Sequence, residues 1–393
     1  MEARFLREAV IVDYLRTPIS RAHPQRDFFK NMRADELCAM VIRKLVEKTG
    51  IDAGEIEECI VGCSNQGGEQ WTYGGRMVSL MAGLPFQVAA LGVDRQGASS
   101  LESVSIAAMQ IAQGYADTVV AAGMEHMLHV PIGYGVKPSP RFVNTDSFDA
   151  ITALNMGLSA EKLAQKYGVS RREMDEFALQ SHMKAVRARE EGFFRDEILP
   201  VEVVLDSGEK MVVDYDQNVR PDTTLEKLAA LPPAFKENGL VTAGNSTSLN
   251  DGAAAAILMS KEKAEQYGLK PLATVKSMAW AGVDPTIMGY GNVPAIRKVL
   301  ERAGLRVEDI DYWEINEIFA VVVLVALKEL GIDPGRVNVK GGAIALGHPT
   351  GMSGVRIVGT LARILNLENA RYGVASSAAG GGQGHAVLLE KEN

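Results

Sequence analysis

Cysteine is rare in this chain: three residues, Cys38, Cys59 and Cys63, among 393. They make no disulfide framework, and no metal-ligand spacing pairs them with histidine. A reducing cytoplasm is the expected setting. Positive charge is also in deficit, with 41 Lys and Arg against 49 Asp and Glu, a net charge of −8. That balance argues against nucleic acid or an anionic membrane as the main partner, and leaves room for a local basic site that takes a phosphorylated ligand. Long apolar runs are missing too. The longest, "IFAVVVLVAL" from Ile318 to Leu327, is followed by Lys328 and Glu329. A bilayer span takes about 20 residues, so this run is expected to be a buried helix. The N-terminal "MEARFLREAVIVDYLRTPIS" has no uncharged apolar core of the signal-peptide kind.

What is present is globular in composition, 47% hydrophobic and 23% charged, and long enough for two or three packed units. An internal repeat organises it. "IRKLVEKTGIDAGEIEECIVG" begins at Ile42 and "IRKVLERAGLRVEDIDYWEIN" at Ile296. Gly50 matches Gly304, and Ile56 matches Ile310. Each copy reads as an amphipathic helix that stops at glycine, an acidic turn and a strand. Each is followed by a turn, a helix and a further strand. Two related halves with alternating strands and helices imply an α/β fold, each half giving one mixed sheet with helices between and outside.

Between the halves, roughly Glu125 to Leu240, the pattern changes. "LSAEKLAQKYGVSRREMDEFALQSHMKAVRARE" is helical and charged, an insertion expected to cap the site. Its Arg171, Arg172 and Lys184 are candidates to meet an anionic ligand, or else form a solvated helix face.

Four segments carry chemistry. "GGAIALGHPTGMSG", Gly341 to Gly354, displays His348 on a glycine-rich turn before an apolar helix starting near Ser353. It has neither the lysine of a phosphate loop nor a dinucleotide fingerprint. A histidine so placed can act as general base or donate to developing negative charge. "EINEIFA", Glu314 to Ala320, offers Asn316 as a helix cap or as an amide that orients water or an oxyanion. "SSAAGGGQG", Ser376 to Gly384, is a small-residue strand entering three glycines, either a tight hairpin or a set of N–H groups aimed at a carbonyl. "TAGNSTSLNDGAAAA", Thr242 to Ala256, reads as a polar loop before an alanine-rich helix.

Together these motifs resemble the thiolase family, along nearly the whole chain. "NEIFA", the Gly-His-Pro loop, "GGGQG", "AGNSTSLNDGAAA", "RPDTTLEKLAALPPAF" and "AAGMEHM" all fit in order and spacing. The resemblance implies a thiolase fold: two similar halves in a five-layered αβαβα core with an inserted loop domain over coenzyme A. Residues 1–124 would form the N-terminal half, 125–240 the loop domain, 241–270 the return to the first half and 271–393 the C-terminal half. It implies homodimers or homotetramers, leaving open a further subunit. It also implies Claisen condensation or thiolytic cleavage of acyl-CoA, with coenzyme A as part of the substrate and no other cofactor or metal.

Carried over by residue, the resemblance makes His348 the activator of a nucleophilic thiol and a holder of the thioester oxygen. Asn316 fixes the water completing that oxyanion site. Gly380 and residue 97 give backbone N–H groups to a second one. Thr247, where the family more often has Ser, lines the pantetheine channel with Phe235, and Phe319 of the "NEIFA" motif joins the substrate-binding set. The family's nucleophilic cysteine follows "VDRQ", where this chain has Gly97. Its acid/base cysteine falls at Ala378. Ser99 and Ser100 occupy positions that are small in the family anyway, and nothing in the spacing aims Cys63 at His348. A glycine has no atom able to take an acyl group, so a covalent step at residue 97 is excluded. Three readings follow: an acyl-CoA enzyme with non-covalent carbon–carbon chemistry, a non-catalytic acyl-CoA-binding homologue or oligomer partner, and an ordinary thiolase in substituted form.

Overall fold

The computed structural model describes residues 7–392. In the first half, strands β1 (Ala9–Arg16), β2 (Ser20–Arg21), β3 (Glu58–Gly62), β4 (Ala89–Val93) and β5 (Thr118–His126) precede the insertion. The insertion carries the small β6 (Val201–Val204) and β7 (Lys210–Val213) pair, and β8 (Asn250–Ser260) then returns to the first half. The second half holds β9 (Ala273–Gly282), β10 (Tyr312–Ile315), β11 (Tyr372–Ala379) and β12 (Gln383–Lys391).

The repeat read from the sequence reappears as topology. β3-β5-β8-β1 and β10-β11-β12-β9 are neighbours in the same order, with the same parallel and antiparallel steps. β4 lies parallel beside β3. Its counterpart beside β10 has shrunk to one parallel bridge, Trp313 to Val337. The two half-sheets join along β1 and β9 at two residue pairs, Val10 with Thr274 and Ile11 with Ala273. The repeat helices Ala34–Thr49 and Asn292–Ala303 both end at a left-handed glycine, Gly50 and Gly304, with φ of 69° and 67°. A residue with a β-carbon is strained there, which is why both copies stop at glycine.

The helices Ser99–Ala112 and Ser353–Leu367 pack on each other at the centre of the molecule. Gly354 leaves no room for a β-carbon against the Leu101 backbone, and the Val355 N–H donates to Ser100 Oγ at 3.0 Å. Small residues at this crossing bring the two helix starts together, and each start carries one loop of the site.

One expected element differs. The alanine-rich run after Asn250 is the strand β8, and all 11 of its residues are buried. It lies between β1 and β5, where small side chains let layers pack on both faces. That placement outweighs alanine's helical preference. The apolar run after Phe319 is the buried helix expected, Ala320–Leu330. Among the described residues no helix is long and apolar enough to cross a membrane.

Candidate active site

The turn after β4 enters a short 3-10 turn, Gln96–Ala98, and then the central helix. Gln96 has φ of +47°, a strained conformation for a residue with a side chain and one that clusters at functional sites. It presents Gly97 to the core. The second half supplies the facing wall. The loop ending at the helix Ser353–Leu367 carries His348, and β11 carries Ala378.

These pieces meet closely. A β-carbon on Gly97 would lie 3.1 Å from His348 Nε2 and 3.5 Å from the Ala378 carbonyl oxygen. The His348 ring is fixed from behind. Nδ1 lies 2.7 Å from Ser353 Oγ, and its backbone N–H donates to Asn250 Oδ1 at 2.9 Å. Nε2 is therefore the ring nitrogen left facing the cavity. The Asn316 amide nitrogen sits 3.4 Å from both ring nitrogens and donates to Ser377 Oγ at 3.2 Å. Asn316 Oδ1 is buried without a partner among the described residues, an acceptor ready for a ligand. Ser377 Oγ in turn donates to the Gly97 carbonyl at 3.1 Å. Burial first, and the Arg356 charge second, pull the His348 imidazole down to about 3, so it is neutral at physiological pH.

Gly97, Ala378, Gly380, His348, Thr247, Phe235 and Phe319 line one cavity of about 290 Å³. Asn316 stands directly behind the histidine. The motif-derived residues thus converge on one place, and Asn316 is no helix cap, because the following helix is capped at Phe319. The Gly380–Gly382 segment is a hairpin turn between β11 and β12 and a cavity wall at once.

The histidine loop is held by a residue the sequence reading quoted but gave no role. Glu125, buried at the end of β5, accepts from Thr350 Oγ1 at 2.8 Å, Gly351 N at 2.9 Å and Ser64 N at 2.9 Å. Burial pushes its carboxyl above the usual range, while these donors pull it back. Cys63 is next to this network, with its thiol turned to Glu125 and to the Asn65 and Gln70 carbonyls. Burial and Glu125 push the thiol well up, which makes it inert.

Outside Phe235 and Thr247 the cavity continues into a cleft of about 650 Å³. Its wall carries Arg21, Arg220 and Lys227, the last paired with Asp222 of the same cleft at 2.7 Å. The expected basic residues lie elsewhere. Arg171 is engaged by Asp175 and the Leu228 carbonyl, and Lys184 donates to the Val337 carbonyl at 2.8 Å. Arg172 pairs with Glu176 on an exposed face. Sequence alone marked Arg220 and Lys227 only as members of "RPDTTLEKLAALPPAF", and their common facing comes from the fold.

A second cluster, Asp27, His126 and Asp251, is buried nearby in the first half. Both His126 nitrogens face acceptors, Asp251 Oδ1 at 3.1 Å and the Phe29 carbonyl at 3.1 Å. The His129 N–H also reaches Nδ1, at 3.3 Å, while the carboxylates and the carbonyl around the ring favour its charged form. Burial disfavours its charge, but Asp251 more than offsets this and holds it up at about 9.

Family models and relatives match nearly the whole chain. The family model described as "Thiolase, N-terminal domain" matches residues 9–262, and "Thiolase, C-terminal domain" matches residues 269–391. The chain is 45% identical over 390 residues to a 3-ketoacyl-CoA thiolase of Marinobacter nauticus, covering 98% of both chains. Among solved structures it is similar to the Bacillus anthracis acetyl-CoA acetyltransferase, with a TM-score of 0.90 and 38% identity, covering 99% of this chain and 100% of the other. Human mitochondrial 3-ketoacyl-CoA thiolase in complex with CoA gives a TM-score of 0.89 at 34% identity, over 99% of each chain.

Proposed function

The chain belongs to the thiolase family, and from that premise we propose that it binds acyl-CoA and makes or breaks the carbon–carbon bond next to the thioester without forming an acyl-enzyme. The observation that carries this reading is the space at residue 97. His348 Nε2 looks directly at it, the cavity is enclosed by family motifs, and no side-chain atom there can accept an acyl group. The attacking or leaving group has to come from the ligands, as a CoA thiol in cleavage or an enolised acyl-CoA in condensation.

The Ser353 hydroxyl donates to the Pro349 carbonyl at 3.0 Å and so accepts from His348 Nδ1–H, which leaves the Nε2 lone pair facing the cavity. There it can take the proton of a CoA thiol or of an acyl-CoA α-carbon and, once charged, hold the thioester oxygen. Asn316 lies against the same ring and supplies the unpartnered acceptor for an ordered water. The apolar inner lining, with Met127, Met156 and Met288, suits an adaptable acyl end. The cationic outer cleft suits the phosphates of the coenzyme A moiety, with Phe235 and Thr247 along the path between. We assign the protein to the cytoplasm, supported by its three buried free thiols, and to homodimers, supported by the open outer edge of β4.

Incubation with acetyl-CoA and acetoacetyl-CoA, read by CoA release and intact mass, tests the reading. Turnover without mass gain supports it, and an acyl adduct that forms as fast as product refutes it. Tight binding with no turnover of any thioester would instead establish the non-catalytic acyl-CoA-binding homologue, which the two absent thiols also favour.

A further inference from the structure

Besides a CoA thiol or an enolised acyl-CoA, one more nucleophile fits the corner at Gly97. The point a β-carbon of residue 97 would take lies 3.1 Å from His348 Nε2 and 3.5 Å from the Ala378 carbonyl oxygen. Ser353 Oγ donates to the Pro349 carbonyl and accepts from His348 Nδ1–H, so Nε2 presents a lone pair. The carbonyl oxygen likewise only accepts. A small molecule resting on Gly97 in reach of both groups needs two protons to donate. A thiol carries one weak S–H, whereas water has two O–H groups and keeps its own lone pairs for the cavity. Glycine at 97 and a methyl at 378 leave the corner open, and both residues line the cavity of about 290 Å³. One water takes about 30 Å³, so an acyl group fits beside it. Among the described residues lining that cavity, His348 is the one titratable side chain.

We propose that this corner seats a hydrolytic water, so that the chain cleaves β-keto thioesters with water in place of a CoA thiol. This rests on the acyl-CoA binding and carbon–carbon chemistry proposed above and adds the nucleophile. His348 Nε2 takes one proton from the water as the water oxygen bonds to the 3-keto carbon. Gly97 and Gly380 line the cavity there, and their backbone N–H groups are the donors for the charge that grows on the keto oxygen. The bond between the 3-keto carbon and the α-carbon then breaks. Its electron pair passes to the α-carbon, giving the enolate of the shorter thioester, and the His348 imidazolium returns its proton to that carbon. The keto carbon leaves as a carboxylic acid holding the water oxygen, and the thioester keeps its CoA. One water is consumed, and nothing is oxidised or reduced. A single histidine serves first as base and then as acid, so a second acid/base at Ala378 is dispensable. Burial keeps the resting ring neutral and able to accept, and the enolate's negative charge favours the protonated ring once cleavage begins.

The experiment incubates the full chain with acetoacetyl-CoA in oxygen-18 water, without free CoA, and reads the products by mass spectrometry. Acetate and acetyl-CoA in equal amounts, with heavy oxygen in the acetate, are the expected result. His348→Gln should lower that rate about a hundredfold or more, the low end for loss of a general base. Gly97→Ala, whose methyl takes the water's place, should lose most of it while acyl-CoA still binds in calorimetry. Cleavage that occurs only when CoA is added, and yields acetyl-CoA alone, overturns the hydrolytic water and leaves the carbon–carbon reading standing. Release of acetoacetate and CoA, a cut at the thioester itself, overturns both. So does the absence of any product, with or without CoA, from a protein that binds the thioester. A Gly97→Ala variant that hydrolyses at the parent's rate overturns the seat at residue 97.

Discussion

A β-carbon at Gly97 would approach His348 Nε2 to 3.1 Å, tighter than most real contacts, so the imidazole has to give by a few tenths of an ångström. The scaffold therefore still has a seat for a thiol. Gly97→Cys is expected to become acylated by acetyl-CoA, seen as one acetyl unit in the intact mass. Adding Ala378→Cys is expected to produce thiolytic cleavage of acetoacetyl-CoA with ping-pong kinetics. Gly97→Ala, which fills the same space with no nucleophile, should depress the parent's turnover. Failure of both cysteine variants to acylate would show that the pocket has lost thiolase geometry.

Asn316 bears on charge rather than on binding. Replacing it with Ala removes an amide placed against the His348 ring and leaves the cavity walls intact. Loss of one oxyanion donor costs roughly 10²–10³ in kcat, and KM should change little. Steady-state kinetics on the variant decide this. A rise in KM with kcat unchanged would make Asn316 a ground-state contact.

Much of this was legible in the sequence because glycine, proline and histidine mark turns that tolerate few substitutes. Gly50 and Gly304 announced the repeat, and the loop around His348 announced the site. Asn316 and Ala378 could be placed because their neighbours form short, ordered motifs. Three things were not legible, each for a physical reason. The alanines after Asn250 carry no periodicity, since β8 is buried on both faces, so helix and strand read alike. Arg220 and Lys227 look like any surface charges until the fold turns them toward one cleft with Arg21. Glu125 holds the histidine loop through partners as distant in sequence as Thr350 and Gly351, and no local spacing encodes such a contact.

The cationic cleft makes affinity depend on salt. Arg220→Gln and Lys227→Gln should each weaken acyl-CoA binding several-fold, the range for a partly exposed charge pair of about 1 kcal/mol. Neither should alter kcat, because both lie outside the cavity that holds His348. Calorimetry at low and high ionic strength checks this, with the parent's salt dependence reduced in both variants. An unchanged dissociation constant in the pair would move the phosphate site elsewhere.

Two buried histidines make stability depend on pH with opposite signs. Burial, aided by Arg220, pulls His182 down to about 4 from 6.5. The unfolded chain then takes up that proton first, so stability falls as the pH drops from 6.5 toward 4. At pH 5 the loss at this residue is about 2 kcal/mol, and His348 adds to it with the same sign. His126, held up at about 9, works the other way. Its contribution is fully present below 6.5 and is lost as pH rises through 9. Thermal melts from pH 4.5 to 9.5 should show both limbs, and His182→Gln should flatten the acid one. A variant that melts with the parent's acid dependence would remove His182 from the account.

The end of the main sheet carries the last expectation. Among the described residues β4 has β3 on one side and no strand on the other, and Trp71, Tyr73 and Phe86 are exposed in the segments before it. Phe86 is 86% exposed, so it contributes nothing to the fold of a lone chain. An open edge flanked by aromatic residues is a liability unless another chain covers it. A second copy meeting β4 across a two-fold axis would pair edge with edge and bury the same residues twice. Sedimentation should therefore find a dimer, and Phe86→Glu should shift it toward monomer while the circular dichroism spectrum is unchanged. A parent that sediments as a monomer at micromolar concentration, or a dimer indifferent to a charge at position 86, would place the contact on another face.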